Sequence, residues 1–290
     1  MTSSSSHCPG VVPELPEVET VRRGLDSILP GKVAARVKVT GKRTVRRQRP
    51  AELRRRLEGR TFVRTDRRGK YLALPLDDGQ VLVIHLRMSG QLLFVAEPKS
   101  VRKAPHTHVV MGFDDGSELR FVDPRTFGEW YVTEDVRPDG LPVEFDRFGP
   151  DPLVDGISAK LLAERLGHKK TAIKVALTDQ RVIAGIGSIY ADEICHRARV
   201  RPDRRCDSLT EAELRAVSRA TTSILRAAVA RRGSSLKDAS YRDLMGELGE
   251  YQHDHRVYNR AGEACDRCGA PIERIAIGAR TAYCCLGCQA

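Results

Sequence analysis

Apolar residues recur every three to four positions from Glu17 to Leu29, with Val18, Val21, Leu25 and Ile28 on one face. That period predicts an amphipathic helix, which Pro30-Gly31 ends. Glu14, Glu17 and Glu19 crowd its start, where the helix macrodipole favours carboxylates. From Lys32 to about Val132 the helical period gives way to short strands. KVAARVKV, RTFVRT, KYLALPL, QVLVIHL, HVVMGF, ELRFVD and GEWYV read as short strands, punctuated by turns such as Asp77-Asp78-Gly79 and Asp114-Asp115-Gly116. One short helix, over residues 51–57, interrupts them. Strand following strand in this way predicts an antiparallel sandwich or barrel.

Residues 135–156 (DVRPDGLPVEFDRFGPDPLVDG) are rich in Pro, Gly and Asp and read as a linker. Beyond them the helical period returns over 157–166, 172–177, 188–198 and 210–231, the last opened by a Thr210-x-x-Glu213 capping box. The expected organisation is α+β in two domains: a β-sandwich with its leading helix over 13–135, a linker over 136–156, and a helical domain over 157–260. A cysteine-rich module over 261–290 closes the chain.

Composition sharpens this picture toward an anionic partner. The 290 residues carry 49 Lys+Arg against 38 Asp+Glu, a net charge of +11. Thirteen of those cations fall between Lys42 and Lys70, against Glu52, Glu58 and Asp66 alone. A solvated face is the bland reading, but the excess suits phosphates better. No run of eighteen apolar residues exists, so no membrane span is expected. Residues 1–12 (MTSSSSHCPGVV) lack a basic and an apolar region, so they read as a polar tail rather than a signal peptide. An intracellular, reducing location is expected. The eight cysteines are then thiols or metal ligands rather than a disulfide framework.

Cys265-Asp-Arg-Cys268, sixteen further residues, then Cys285-Leu-Gly-Cys288 is the spacing of a four-thiolate zinc ribbon. Cys284 competes with Cys285, but only Cys285 keeps the two-residue spacing to Cys288. Cys8, Cys195 and Cys206 have no metal spacing.

The stretch Pro13-Glu14-Leu15-Pro16-Glu17 is over-determined for a helix cap. Inside a chain, Pro13 carries a tertiary amide with no basic lone pair. At a chain start its nitrogen would be a secondary amine able to attack an electrophilic carbon. With PELPEVET (13–20), RRGKYL (67–72), HLRMSGQL (85–92), VDPRTFG (122–128), KKTAIK (169–174), GIGSIYADE (185–193) and the cysteine ribbon in this order, the chain resembles formamidopyrimidine-DNA glycosylases. That family also includes endonuclease VIII, and the likeness runs from Pro13 to about Gln289.

The resemblance implies a two-domain clamp on double-stranded DNA, with a helix–two-turn–helix and a zinc finger in the second lobe. It implies a monomeric, cytoplasmic base-excision repair enzyme removing oxidised purines and then cleaving the abasic site. By the same resemblance an amino-terminal Pro13 is the nucleophile and Glu14 its acid/base. Lys70 is the proton donor of β-elimination, and Arg280 clamps phosphate and serves δ-elimination. Met88, Arg125 and Phe127 form a wedge that fills the gap left by an everted nucleotide. His106, Lys169, Lys174 and Ser188 contact DNA. Glu193 orients the leading residues, and Cys265, Cys268, Cys285 and Cys288 hold one structural Zn2+. The segment 246–263 resembles the region that covers an everted purine. Ser188 stands where the pattern has Asn and offers one donor fewer. Arg87 stands beside Met88 where the pattern has Gly.

Two alternatives follow from the residues. If residues 1–12 stay in place, the chain is a catalytically silent damaged-DNA-binding protein. A zinc-ribbon transcription-type factor is the third class, but it leaves Pro13, Glu14 and Lys70 without a role. Initiation at Val12 through a GUG codon, with methionine removal, would expose Pro13 and resolve the first conflict.

Overall fold

The computed structural model describes residues 13–41, 43–236 and 241–290, so the tail expected over 1–12, with its Cys8, lies outside the described residues. Helix α1 (Leu15–Asp26) opens them, with Pro16 in its first turn and the Glu17 carboxyl accepting the Glu14 N–H at 2.9 Å. Val18, Val21 and Leu25 of α1 pack into the first hydrophobic core, whereas Leu15 belongs to the second. Each such fully buried side chain contributes about 1.5–3 kcal/mol. The helix is therefore a joint between two lobes, and its amino-terminal end lies where they meet.

The first lobe holds β1 (Ala34–Val39), α2 (Pro50–Leu57), β2 (Asp66–Arg68), β3 (Tyr71–Pro75), β4 (Val81–His85), β5 (Gln91–Val95), β6 (Thr107–Phe113), β7 (Glu118–Val122) and β8 (Glu129–Thr133). Two four-stranded antiparallel sheets form, in the orders β1-β6-β7-β5 and β2-β3-β4-β8. Their inner faces enclose Phe62, Leu72, Ile84, Met111, Phe121 and Trp130. RTFVRT is not a strand. Residues 60–65 make only the isolated bridges Val33↔Thr61 and Phe62↔Leu76, and regular pairing begins at Asp66. Conversely, residues 91–95, not among the strands read from the sequence, form β5 and pair with β7.

The stretch 135–156 is packed rather than loose. Phe145 sits against Tyr71 and Tyr131. Asp151, with no solvent exposure, takes Arg67 through both oxygens (2.5 and 3.1 Å), and Arg67 also reaches Glu19 of α1 at 3.0 Å. A buried guanidinium shared by two carboxylates ties β2, α1 and this connector together.

The second lobe packs α3 (Ala159–Leu166), α4 (Ile173–Leu177), α5 (Ser188–Ala198) and α6 (Glu211–Ala230) around Ile183, Tyr190, Ile194 and Leu225. The capping box at Thr210 and Glu213 forms as its spacing predicts. Strands β9 (Ile272–Ile277) and β10 (Arg280–Cys285) make the terminal hairpin. Among the described residues no helix is long and apolar enough to cross a membrane.

Candidate active site

The carboxylate of Glu14 is buried at the amino-terminal end of α5, where it accepts the N–H groups of Gly187 (2.6 Å) and Ile189 (2.9 Å). Burial raises its pKa, and the nearby Lys70 ammonium together with these backbone donors pulls it back down. Gly187 is required by close approach. A Cβ there would lie 2.4 Å from Glu14 Cδ and 2.6 Å from Lys70 Nζ. Lys70 follows β2 on the Gly69 turn, is half-buried, and has its pKa lowered by burial against the opposing pull of Glu14 and Glu17. Pro13, buried, precedes Glu14 at the same point. Nucleophile candidate, carboxylate and lysine thus converge at the joint of the lobes.

Below Glu14 lies a second carboxylate that the sequence suggested only as a helix-dipole partner. Glu17 accepts Glu14 N–H, Tyr190 O–H (2.6 Å) and Ser234 N–H (2.7 Å). Ser234 Oγ in turn lies 3.0 Å from His255 Nε2. Burial, with the Glu14 charge adding, pushes the Glu17 carboxyl up to about 7. The folded chain therefore binds this proton more tightly than the unfolded one, and the stability it contributes declines as pH rises from 4.5 to about 7, then levels. Glu17→Gln removes that dependence. Urea titrations are expected to show the stability difference between wild type and variant shifting against the wild type across this window, and a pH-independent difference would contradict it.

A cleft of about 570 Å³ opens beside Lys70 and is lined by Arg46, Lys70, Tyr71, His85, Met88 and Phe127 among others. It joins Lys70 to two of the three expected wedge residues. Arg125 lies over the Phe127 ring at 5.3 Å, and Phe127 is 41% exposed, which a core phenylalanine would not be. Arg87 lines the same cleft as Met88. Its backbone takes the left-handed φ of 55°, which explains glycine there, and its guanidinium turns to Glu129 at 3.0 Å. His85 was not singled out by the sequence. Its buried ring meets Tyr71 edge-on at 4.2 Å, and burial keeps its pKa well below 6.5, so the imidazole is neutral.

His106 is exposed on a turn of φ 61°, and Ser188 is exposed at the first position of α5. Lys169, half-buried, and Arg280, exposed, line a neighbouring cavity of about 650 Å³, with Arg280 bonded to Thr178 Oγ1.

Two expectations are corrected. Lys174 does not face outward. It is fully buried, bonded to Asp192 (2.7 and 2.8 Å) and to the Thr281 carbonyl, where it joins α4, α5 and β10. Lys174→Met would strand the Asp192 carboxylate, and denaturation is expected to show a loss of about 3–5 kcal/mol. Glu193 does not orient the leading residues either. Its buried carboxylate accepts the N–H groups of Arg256, Val257 and Tyr258 at 2.8–3.0 Å, so it holds the segment before the ribbon. The basic run is divided by the fold. Arg47, Arg56, Arg60, Arg64, Arg67 and Arg68 are in ion pairs, whereas Arg43, Arg46, Arg49, Arg54 and Arg55 are in none among the described residues, and Arg46 and Lys70 line the cleft.

The sulfurs of Cys265, Cys268, Cys285 and Cys288 lie within 4.8 Å of one another. Pairs at 3.4 Å (Cys268–Cys285) and 3.9 Å (Cys265–Cys288) bracket the roughly 3.8 Å edge of a tetrahedron of thiolates about 2.3 Å from a metal. The donor set fits a closed metal site. Cys284, on the same strand, is buried away from it and outside the cluster. His196 Nε2 lies 3.5 Å from Cys265 Sγ, in reach of donating to a ligating thiolate.

Residues 12–130 match the formamidopyrimidine-DNA glycosylase N-terminal domain, and residues 148–240 match the H2TH domain of the same enzymes. The chain belongs to the formamidopyrimidine-DNA glycosylase family. It is 41% identical to the formamidopyrimidine-DNA glycosylase of Herpetosiphon aurantiacus, over 96% of this chain and 100% of that protein. Identity to the Mycobacterium avium protein of that name is 42%, over 96% of this chain and 98% of the relative. Among solved structures, the MutM (Fpg) protein from Thermus thermophilus superposes with a TM-score of 0.83 at 38% identity, covering 96% and 98% of the two chains. The Lactococcus lactis Fpg in complex with abasic-site DNA gives 0.85 at 33% identity, covering 95% and 99%. The two-lobed arrangement of helices and sheets described above is that of this glycosylase family.

Proposed function

We propose that this chain is a bifunctional DNA glycosylase and abasic-site lyase of base-excision repair, acting on oxidised purines such as 8-oxoguanine and formamidopyrimidines in duplex DNA. One observation carries the reading: Glu14, Lys70 and the residue-13 end of the chain converge beside a cleft that Met88 and Phe127 also line. In this proposal the Pro13 secondary amine attacks C1′ as the glycosidic bond to the damaged base breaks. Glu14 exchanges the protons at the sugar ring oxygen or leaving base. An α-amine with a pKa near 8 supplies enough neutral nucleophile at pH 7. Breaking the C1′–O4′ bond, with a proton delivered to O4′, gives the iminium, which acidifies C2′. Loss of the C2′ proton to solvent then breaks the C3′–O bond and releases the 3′ phosphate, with Lys70 as proton donor. Arg280 assists the δ-elimination that follows. Met88 and Phe127 replace lost stacking, and Arg125 faces the unpaired opposite base. His106 and Lys169 are further contacts to the DNA or the lesion, and Ser188 donates to a phosphate.

The metal is zinc, one per chain. Bound to four thiolates it has no open position, so it supplies the fold of the hairpin bearing Arg280 and no chemistry. Within this reading residues 13–135 form the catalytic lobe, 136–156 the connector, 157–260 the DNA-binding helices and 261–290 the zinc finger. A monomer acting in the cytoplasm on nucleoid DNA completes it.

Pro13 can react only as a chain terminus, so the working enzyme begins there. The second reading, a silent binder of damaged DNA, holds for a chain that retains residues 1–12. Two preparations decide between them: one beginning at Pro13, the other at Met1, each verified by intact mass. Incision of an 8-oxoguanine duplex is expected from the first alone. Equal incision by both would remove Pro13 as the nucleophile.

A further inference from the structure

We propose that the buried couple Ser89–Asp123 is a positioning device that fixes the turns bearing Met88, His106, Arg125 and Phe127 as one preformed unit, of which Met88 and Phe127 line the cleft. The inference rests on the glycosylase reading and concerns how the everted nucleotide's place is filled. Asp123 has no solvent exposure, yet every polar group it offers is engaged, and its partners lie on three segments. Its Oδ1 accepts the Ser89 hydroxyl, and Ser89 Oγ accepts the Arg125 N–H at 3.2 Å. Its Oδ2 accepts the Gly128 N–H at 2.7 Å. Its carbonyl accepts the Thr126 N–H at 3.1 Å and His108 Nε2–H at 2.9 Å, and its own N–H donates to the His106 carbonyl at 3.0 Å.

Three segments distant in sequence are thereby latched to one carboxylate: Leu86–Gly90, His106–His108 and Asp123–Gly128. Each contains a residue other than glycine in left-handed conformation: Arg87 at 55°, His106 at 61° and Thr126 at 56°. Such residues persist only where the surroundings over-determine them. Packing closes the same knot. A Cβ on Gly128 would lie 2.3 Å from the Phe121 ring and 3.0 Å from Asp123 Oδ2, so the turn bearing Phe127 is pressed onto the hub. Side chains that must enter a base stack gain from being fixed beforehand, because no ordering is then left for the moment of eversion.

Ser89→Ala breaks the link between the Met88 and Arg125 turns while leaving the cleft chemistry in place. Ser89→Thr keeps the hydroxyl. Asp123→Asn keeps the shape and loses one acceptor. Each variant, in a chain beginning at Pro13, is compared with wild type by 2-aminopurine fluorescence beside an 8-oxoguanine. Single-turnover excision of that base and cleavage of a preformed abasic site are followed in parallel. Ser89→Ala and Asp123→Asn are expected to slow eversion and excision by about tenfold or more. Abasic-site cleavage, which starts without a base to expel, keeps the wild-type rate, and Ser89→Thr restores eversion. If Asp123→Asn does not fold, the two Ser89 variants decide alone. Wild-type eversion in Ser89→Ala overturns the proposal, as does a Ser89→Thr variant no better than Ser89→Ala, or abasic cleavage falling in step with excision. Failure of the glycosylase reading looks different: the wild-type chain itself would then excise nothing.

Discussion

Glu14→Gln, in a chain beginning at Pro13, is expected to slow release of 8-oxoguanine by about 10²–10⁴-fold, the usual contribution of a positioned acid/base group. The substitution keeps the volume of the side chain. It removes the charge that faces Lys70, and it leaves an amide to satisfy the two N–H donors of Gly187 and Ile189 with one acceptor oxygen. The site is buried, so the defect lies in chemistry and local geometry rather than in the surface that meets a duplex. Single-turnover excision alongside equilibrium binding separates the two. The expected pattern is a collapsed rate with near-native affinity. A wild-type rate would take Glu14 out of the mechanism, and a parallel loss of affinity would make it a structural residue.

Removing the metal is expected to have the second large effect. The hairpin β9–β10 has little core of its own: its apolar cluster is Ile272 and Cys285 with Val257 and Cys265 from the segment before it. Structural zinc supplies about 10–16 kcal/mol in small four-ligand domains, far more than so few apolar contacts can. The hairpin carries Arg280, and it covers the buried Lys174–Asp192 pair through the Thr281 carbonyl and the Tyr283 N–H. Chelation, or Cys268→Ser, should therefore release the hairpin, expose that pair and abolish δ-elimination and tight duplex binding together. Elemental analysis before and after chelation, with hydrogen exchange over 264–290, checks it. Protected amides in the metal-free chain would mean that the hairpin stands without the metal.

What the sequence made legible was local or periodic. Two-residue cysteine spacing lies within one turn each, and Thr210-x-x-Glu213 and the face of α1 repeat within a few residues, so nothing distant had to be known. Lys174 shows the opposite case. In KKTAIK it reads as one more surface cation, because its partner Asp192 is eighteen residues away and its cover, the Thr281 carbonyl, more than a hundred. Glu193 likewise gives no local hint that its three donors are the backbone of 256–258. The arginine run points to an anionic partner by composition, but charge counts do not reveal that Arg67 is committed to Asp151 or Arg47 to Glu129. Strand β5 was hidden because alternation is weak there: of Gln91–Val95 only Leu92 is fully buried. Glu17 was visible as a helix-start acid, but its role under Glu14 depends on Tyr190 and Ser234, which only the packing of α5 against α1 and α6 supplies.

At the centre of this reading the Pro13 nitrogen is the nucleophile. Its most direct test is borohydride trapping of a chain beginning at Pro13 on an 8-oxoguanine duplex, followed by peptide mass mapping of the adduct. One stable protein–DNA adduct is expected, on the peptide that starts with Pro13. An adduct on Lys70, or none from a chain whose free amino-terminal proline has been verified, would contradict it.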